Sequence, residues 1–332
     1  MNSKRWIALI AAVGLLFVSM ITHVASMAFS SNFDDLFSME EQTWSEIIEE
    51  HGDSTGKIAV LDVNGVIQDT GDSVSIFDVA GYRHRSFLSM LEHAGQDPLV
   101  DGILIRVNTP GGGVVESAEI HDKITEIQEE YEKPIYVSMG SMAASGGYYI
   151  AAPADKIIAH PSTITGSIGV IMQSINVAEL AENIGIQEQV IKSGAHKDIM
   201  SMTREMTETE REIMQEMIEE VFDDFVEVIV QGRNMSETEV RRLGDGRIYT
   251  GKQALAEDLV DALGTRDDAI DMLMDDIGRG RLDVIRYEQS IGFNQLFGMT
   301  AQRFLSRNDD LLGINELMNR SNSPTLMYLY TR

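Results

Sequence analysis

The sequence predicts an α/β fold preceded by one membrane-spanning helix, and three observations lead there. Short apolar runs alternate with helically spaced apolar residues from Lys57 onward, the signature of βαβ units. Several runs end in glycine-rich turns, where strand-to-helix loops of α/β proteins gather ligands. An apolar stretch from Trp6 to about Phe29 follows Lys4 and Arg5, interrupted by Ser19, Thr22, His23 and Ser26, and is long enough to cross a bilayer core.

Residues 1–29 therefore read as a cytoplasmic N-terminus and a transmembrane signal-anchor, with everything after them outside the cytoplasm by the positive-inside rule. A cleaved signal peptide is the alternative, because Val24-Ala25-Ser26 and Met27-Ala28-Phe29 place small residues near a cut. Residues 30–56 form an acidic juxtamembrane tether or a short amphipathic helix, with Phe33, Leu36, Phe37, Trp44, Ile47 and Ile48 scattered through it.

Residues 57–292 are the expected folded body. A strand at Ile58–Ile67 leads to a helix marked by Phe87, Met90, Leu91 and Ala94, then a strand at Ile103–Val107. Ile120, Ile124 and Ile127 mark the next helix and Ile135–Met139 the next strand. A small-residue helix is expected at about Met142–Ala151, strands at Lys156–Ala159 and Ile168–Met172, a helix near Val177–Asn183 and a strand at Gln187–Ile191. Thr207 and Glu210 form a T-x-x-E capping box that opens a helix to about Val230, with Ile213, Met217, Val221, Phe225 and Val228 at helical spacing. Asp245–Gly251 is a turn before a helix at Gln253–Leu263, and Gly264 ends it. Residues 293–332 are a polar tail that closes on the apolar run Leu326–Tyr330 after Pro324.

Bulk composition narrows the function. The 332 residues are 43% hydrophobic, enough for a sizeable core, and carry a formal charge of −27, which repels nucleic acid. Arginine outnumbers lysine 18 to 8, which preserves positive charge at pH values where lysine loses its proton and fits an alkaline or saline exterior. There are no cysteines, so disulfides, a thiol nucleophile and Cys-ligated zinc are excluded. No metal or cofactor is expected, and any nucleophile is an oxygen.

Three segments carry chemistry, each at the end of a predicted strand. Asn108-Thr109-Pro110-Gly111-Gly112-Gly113 exposes backbone amides that can hold an oxyanion. It could also be a phosphate cradle, but neither GxxxxGK[ST] nor GxGxxG is present, or simply a tight connection. In Met139–Tyr149, Ser145 stands among small residues before Gly146-Gly147. That leaves a hydroxyl accessible and the following N–H free to stabilise negative charge. The GxSxG elbow is absent because Ala143 occupies the first glycine position.

A serine needs a base to take its proton. His160, His196, Lys197 and, less well placed, His121 are the candidates, Lys197 lying in Lys192-Ser193-Gly194-Ala195-His196-Lys197-Asp198. A lysine serves as base when desolvation favours its neutral form. The residues alone leave this choice open.

Taken together, PGGG, SMAASGGYY, TGSIGV at Thr165–Val170, KSGAHKD and DGRIYTG resemble the signal peptide peptidase A family of Ser-Lys proteases, in its short, membrane-tethered bacterial form. The resemblance covers about Lys57 to Gly264. It implies a crotonase-like fold of repeated ββα units shared with the Clp protease subunit, and a homo-oligomeric ring with inward-facing active sites. Its substrates would be remnant signal peptides and other short or unfolded chains at the outer membrane face. Residue by residue, it implies Ser145 as nucleophile, Lys197 as base, Ser167 as the hydroxyl that orients the lysine amine, and Gly112 and Gly146 as backbone oxyanion donors.

Competing readings are an acyl-CoA hydratase on the same fold, a non-catalytic membrane scaffold, and a protease specialised for a stomatin-like membrane partner. The tail Leu326–Tyr330 is either a peptide that reaches an active site and is trimmed there or a frayed end.

Overall fold

The computed structural model describes residues 14–15, 18–19, 44–70, 82–289 and 326–331. Most of the predicted transmembrane segment, tether residues 30–43 and tail residues 293–325 lie outside the described residues. Among the described residues, no helix is long and apolar enough to cross a membrane. The chain divides into two units, residues 1–45 and 46–332, and apart from residues 44–45, which open the first strand, the second holds the elements that follow.

In chain order, β1 (Trp44–Glu50) and β2 (Lys57–Asn64) lead to helix α1 (His84–Gln96), β3 (Val100–Thr109), β4 (Gly111–Gly113) and α2 (Val114–Tyr131). Next come β5 (Ile135–Ala144), α3 (Gly146–Ala151), β6 (Lys156–Ala159), β7 (Ile164–Gly166) and α4 (Ala178–Asn183). The long α5 (Glu208–Arg233), α6 (Glu237–Leu243), β8 (Ile248–Thr250), α7 (Gly251–Ala256), β9 (Ala262–Leu263), α8 (Arg266–Ile277), β10 (Asp283–Gln289) and β11 (Met327–Leu329) complete the described elements.

The sheet runs β1-β10-β2-β3-β5-β6-β9, with β7 leaving β5 and β8 pairing β7. Every pair from β10 to β9 is parallel, so both faces are covered and the strands are apolar on both sides. Ile58, Val60, Leu104, Tyr136 and Ile158 face α8, packing on Ala269, Ile270, Leu273 and Met274. The alternate residues Ala59, Leu61, Ile103, Ile105, Val107, Ile135 and Val137 are equally buried, as period-two alternation requires of a two-sided sheet. Leu273 is fully buried in the α8 layer, so Leu273→Ala is expected to lower unfolding stability by roughly 2–5 kcal/mol in urea titration.

Several boundaries differ from the sequence reading. Met142–Ala144 is strand, because these residues pair with Ile164–Gly166, and the helix waits for Gly146. Ile168–Met172 forms only a bridge from Ile171 to Met327, since the strand beside β5 is supplied by β7. Gln187–Ile191 has no strand partner among the described residues and is exposed throughout. The helix expected at Gln253–Leu263 stops at Ala256, and Ala262-Leu263 joins the sheet beside β6. Trp44–Glu50, read as tether or helix, is a strand next to β10. The capping box appears as read: the Thr207 side chain accepts from the Glu210 amide and Glu210 reaches back to the Thr207 amide.

Candidate active site

β5 ends where α3 begins, and Ser145 is the single residue between them. Its backbone sits at φ 55° and ψ −117°, a region that L-residues seldom occupy and that is kept only where neighbours over-determine it. Those neighbours are visible: the Ser145 amide donates to the Gly166 carbonyl at 2.7 Å, and its own carbonyl accepts from Tyr148 at 2.8 Å and Tyr149 at 2.9 Å. The side chain is almost fully buried, at 1% exposure. Among the described residues its hydroxyl has no hydrogen-bond partner.

Pro110 and β4 form the wall beside it. Gly111, at φ +100°, adopts a backbone that favours glycine. Ile67 clamps the turn, donating to the Gly111 carbonyl at 2.9 Å and accepting from the Gly113 amide at 2.8 Å. A Cβ on Gly112 would overlap the Ile67 carbonyl oxygen. A Cβ on Gly146 would stand 3.2 Å from the Gly112 nitrogen and 3.2 Å from the Tyr328 carbonyl oxygen, so the two glycines close on one point beside Ser145.

That point is occupied by the tail. β11 pairs antiparallel with β4, Tyr328 opposite Gly112, and on its other edge Met327 exchanges two backbone bonds with Ile171, at 3.0 and 3.1 Å. The Tyr330 amide donates to the Pro110 carbonyl at 2.9 Å. An extended peptide is thus laid between two chain segments by main-chain bonds that are indifferent to its sequence.

The Tyr328 side chain is enclosed. It is 1% exposed, stacks on Tyr149 with centroids 4.9 Å apart, meets Phe225 at 4.7 Å, and donates its hydroxyl to the Val221 carbonyl at 3.1 Å. Such aromatic pairs contribute about 0.5–1.5 kcal/mol each beyond area burial. Burial raises both phenols, pushing Tyr149 up to about 12, so the Tyr328 hydroxyl remains a donor. Beyond Tyr328, Leu329, Tyr330 and Thr331 line a cavity of about 240 Å³ with Ser167, Ile171 and Gly246. Ser167 is buried at φ 50° and its amide donates to the Arg247 carbonyl at 2.8 Å.

Four of the five residues singled out from sequence therefore converge: Gly112, Ser145, Gly146 and Ser167. Lys197 does not join them. It is exposed, on a turn where its amide donates to the Gly194 carbonyl at 3.3 Å, and among the described residues its amine makes no hydrogen bond or ion pair. The histidines are engaged elsewhere. His160 is exposed and its Nδ1 accepts from the Ser162 amide at 3.2 Å. His121 lies 3.0 Å from Asp122 and His196 3.4 Å from Glu210. The aromatic wall from Tyr149 and Phe225 escaped the sequence reading, although Phe225 already stood on the apolar face of its helix. No group of three or more His, Asp or Glu side chains suited to a metal occurs among the described residues.

Comparison with known proteins identifies the family. The family model for peptidase family S49 matches residues 127–278, a span that contains Ser145, Ser167 and Lys197. An Enterococcus faecium chain named for signal peptide peptidase SppA is 38% identical over 99% of both chains. A Synechocystis chain named for a protease is 44% identical over 64% of this chain and 72% of its own. Protease 4 of Salmonella typhi is 36% identical over 66% of this chain but only 34% of its own length. With identity sustained from end to end in the first of these, the chain belongs to the signal peptide peptidase A family and is a peptidase.

Proposed function

We propose that this peptidase is a membrane-anchored serine endopeptidase with a Ser-Lys dyad, which cleaves remnant signal peptides and other short or unfolded chains outside the cytoplasm. The observation that carries the reading is the peptide strand on β4, whose Tyr328 carbonyl lies against Gly112 and Gly146 beside the strained Ser145. In the reaction, Lys197 takes the Ser145 proton and the oxygen attacks the peptide carbonyl. The Gly112 and Gly146 amides then hold the tetrahedral oxyanion. Lys197 returns the proton to the leaving amine, and water releases the acyl group by the same route. Ser167 orients the lysine amine.

An exposed lysine is a poor base, so the dyad requires that Lys197 be covered. The homo-oligomeric ring supplies that cover. Its support is the apolar surface on the same stretch of chain, where Leu180, Ile184 and Ile186 are 60%, 62% and 58% exposed, more than a solitary soluble chain normally leaves in one region. The fold is taken as crotonase-like, supported by the parallel sheet and by the β7–β8 layer that leaves it.

The test is hydrolysis of an unfolded protein by the full-length chain in detergent. Degradation with no action on the same protein folded supports the reading, and no activity on either form removes it. The tail gives a second test. Intact-mass spectrometry of the purified chain is expected to show loss of Leu329–Arg332 in wild type and full retention in Ser145→Ala. The same full-length tail in both would mean that β11 is not a substrate.

A further inference from the structure

The stretch from Ile186 to Glu205 carries Lys197 but contains no helix or strand. Its internal bonds are turns: Lys197 to Gly194, Ile199 to His196 and Ser201 to Asp198, at 3.3, 3.1 and 3.0 Å. Turns fix local shape and leave the placement of the loop to other contacts.

We infer that Arg204 is a positioning residue for Lys197, clasping the lysine's loop to the first turn of α5. This rests on Lys197 being the base. The guanidinium grips Asp198, the residue after the lysine, with Nε to one carboxylate oxygen at 3.0 Å and Nη2 to the other at 2.7 Å. Nη2 also reaches the Asp198 carbonyl at 3.0 Å. Its other edge grips Glu210 at 2.8 and 2.7 Å.

Glu210 is a fixed anchor. It is 1% exposed and is the third residue of the helix, closing the capping box by accepting from the Thr207 amide at 3.0 Å. It also receives His196, the residue before the lysine, at 3.4 Å. Both sequence neighbours of Lys197 are thereby tied to one helix end. That helix continues to Val221 and Phe225, which hold Tyr328. One rigid element thus carries both the aromatic pocket and the grip on the lysine loop.

Charge follows geometry here. Asp198 is shared with the Lys192 amine at 2.5 Å, so two cations balance two carboxylates beside the lysine. Hydrogen bonds from Arg204 hold both carboxyls well below their usual range. The clasp is therefore complete above the ordinary carboxylate range and is lost only in strong acid. A planar fork can serve two carboxylates at once, which a lysine ammonium cannot do in the same way.

The experiment is steady-state hydrolysis of a tyrosine-containing peptide by the full-length chain in detergent. Arg204→Ala is expected to lower kcat on the order of 10- to 100-fold, the cost of a misplaced catalytic group. KM should change little, because the Arg204 contacts do not touch the peptide groove, while the thermal midpoint should fall, because the buried Glu210 carboxylate loses its cation. Arg204→Lys should recover little of the loss. Asp198→Asn, which leaves the Arg204–Glu210 pair and the helix cap in place, should lose kcat in the same direction by less. Lowered kcat in Arg204→Ala with wild-type kcat in Asp198→Asn would mark Arg204 as merely structural, acting through Glu210 alone, and overturn the inference. Wild-type kcat in Arg204→Ala and Asp198→Asn alongside an inactive Lys197→Ala would refute the clasp and spare the base. An active Lys197→Ala would refute both.

Discussion

Ser145→Ala is expected to abolish peptide hydrolysis, with kcat falling on the order of 10⁵- to 10⁶-fold, as when a serine nucleophile is removed elsewhere. KM for a tyrosine-containing peptide should hold, because the groove binds through β4, Ile171 and the Tyr149–Phe225 wall, and none of these contacts uses the Ser145 hydroxyl. Lys197→Ala should fall to a similar floor, since nucleophile and base act as a unit and their losses do not add. His160→Ala is the discriminating partner. Its ring nitrogen is engaged with the Ser162 amide and its side chain is exposed, so it should retain wild-type kcat. Should the His160 variant die while the Lys197 variant works, the base is the histidine and the dyad assignment is wrong. Labelling by a serine-reactive fluorophosphonate that persists in Ser145→Ala would move the nucleophile elsewhere.

The second large effect is expected at Gly112. A methyl group there meets the Ile67 carbonyl oxygen head-on, and Ile67 is fixed by the two backbone bonds that clamp the turn. The turn must therefore shift, carrying the Gly112 amide with it. Displacing one oxyanion donor costs roughly 100- to 1000-fold in kcat, and Gly112→Ala should show that loss in a single-turnover assay. The chain should still fold, because the core cluster under α8 does not include the turn. A variant with normal kcat would mean that the Gly112 amide does not hold the developing charge.

Much of the site was legible because its chemistry is local. A proline and three glycines in succession announce a backbone-lined turn, and a serine before two glycines marks a nucleophile candidate, although the folded chain leaves it only 1% exposed rather than accessible. The Thr207–Glu210 box was equally readable, since a cap satisfies its bonds within one helical turn. Strand partners were not. Met142–Ala144 looks helical by composition and is strand because Ile164–Gly166 lies alongside. Gln187–Ile191 looks like a strand and has no partner among the described residues to make it one.

The sequence by itself determined the α/β alternation, the nucleophile candidate, the amide-rich turns and the family, because each is written in residues close together along the chain. Only the tertiary structure decided that the tail lies on β4, that Tyr149 and Phe225 enclose Tyr328, and that Arg204 ties the Lys197 loop to α5. Those are contacts between distant segments, and their partners are chosen by packing and hydrogen-bond geometry that no local pattern encodes.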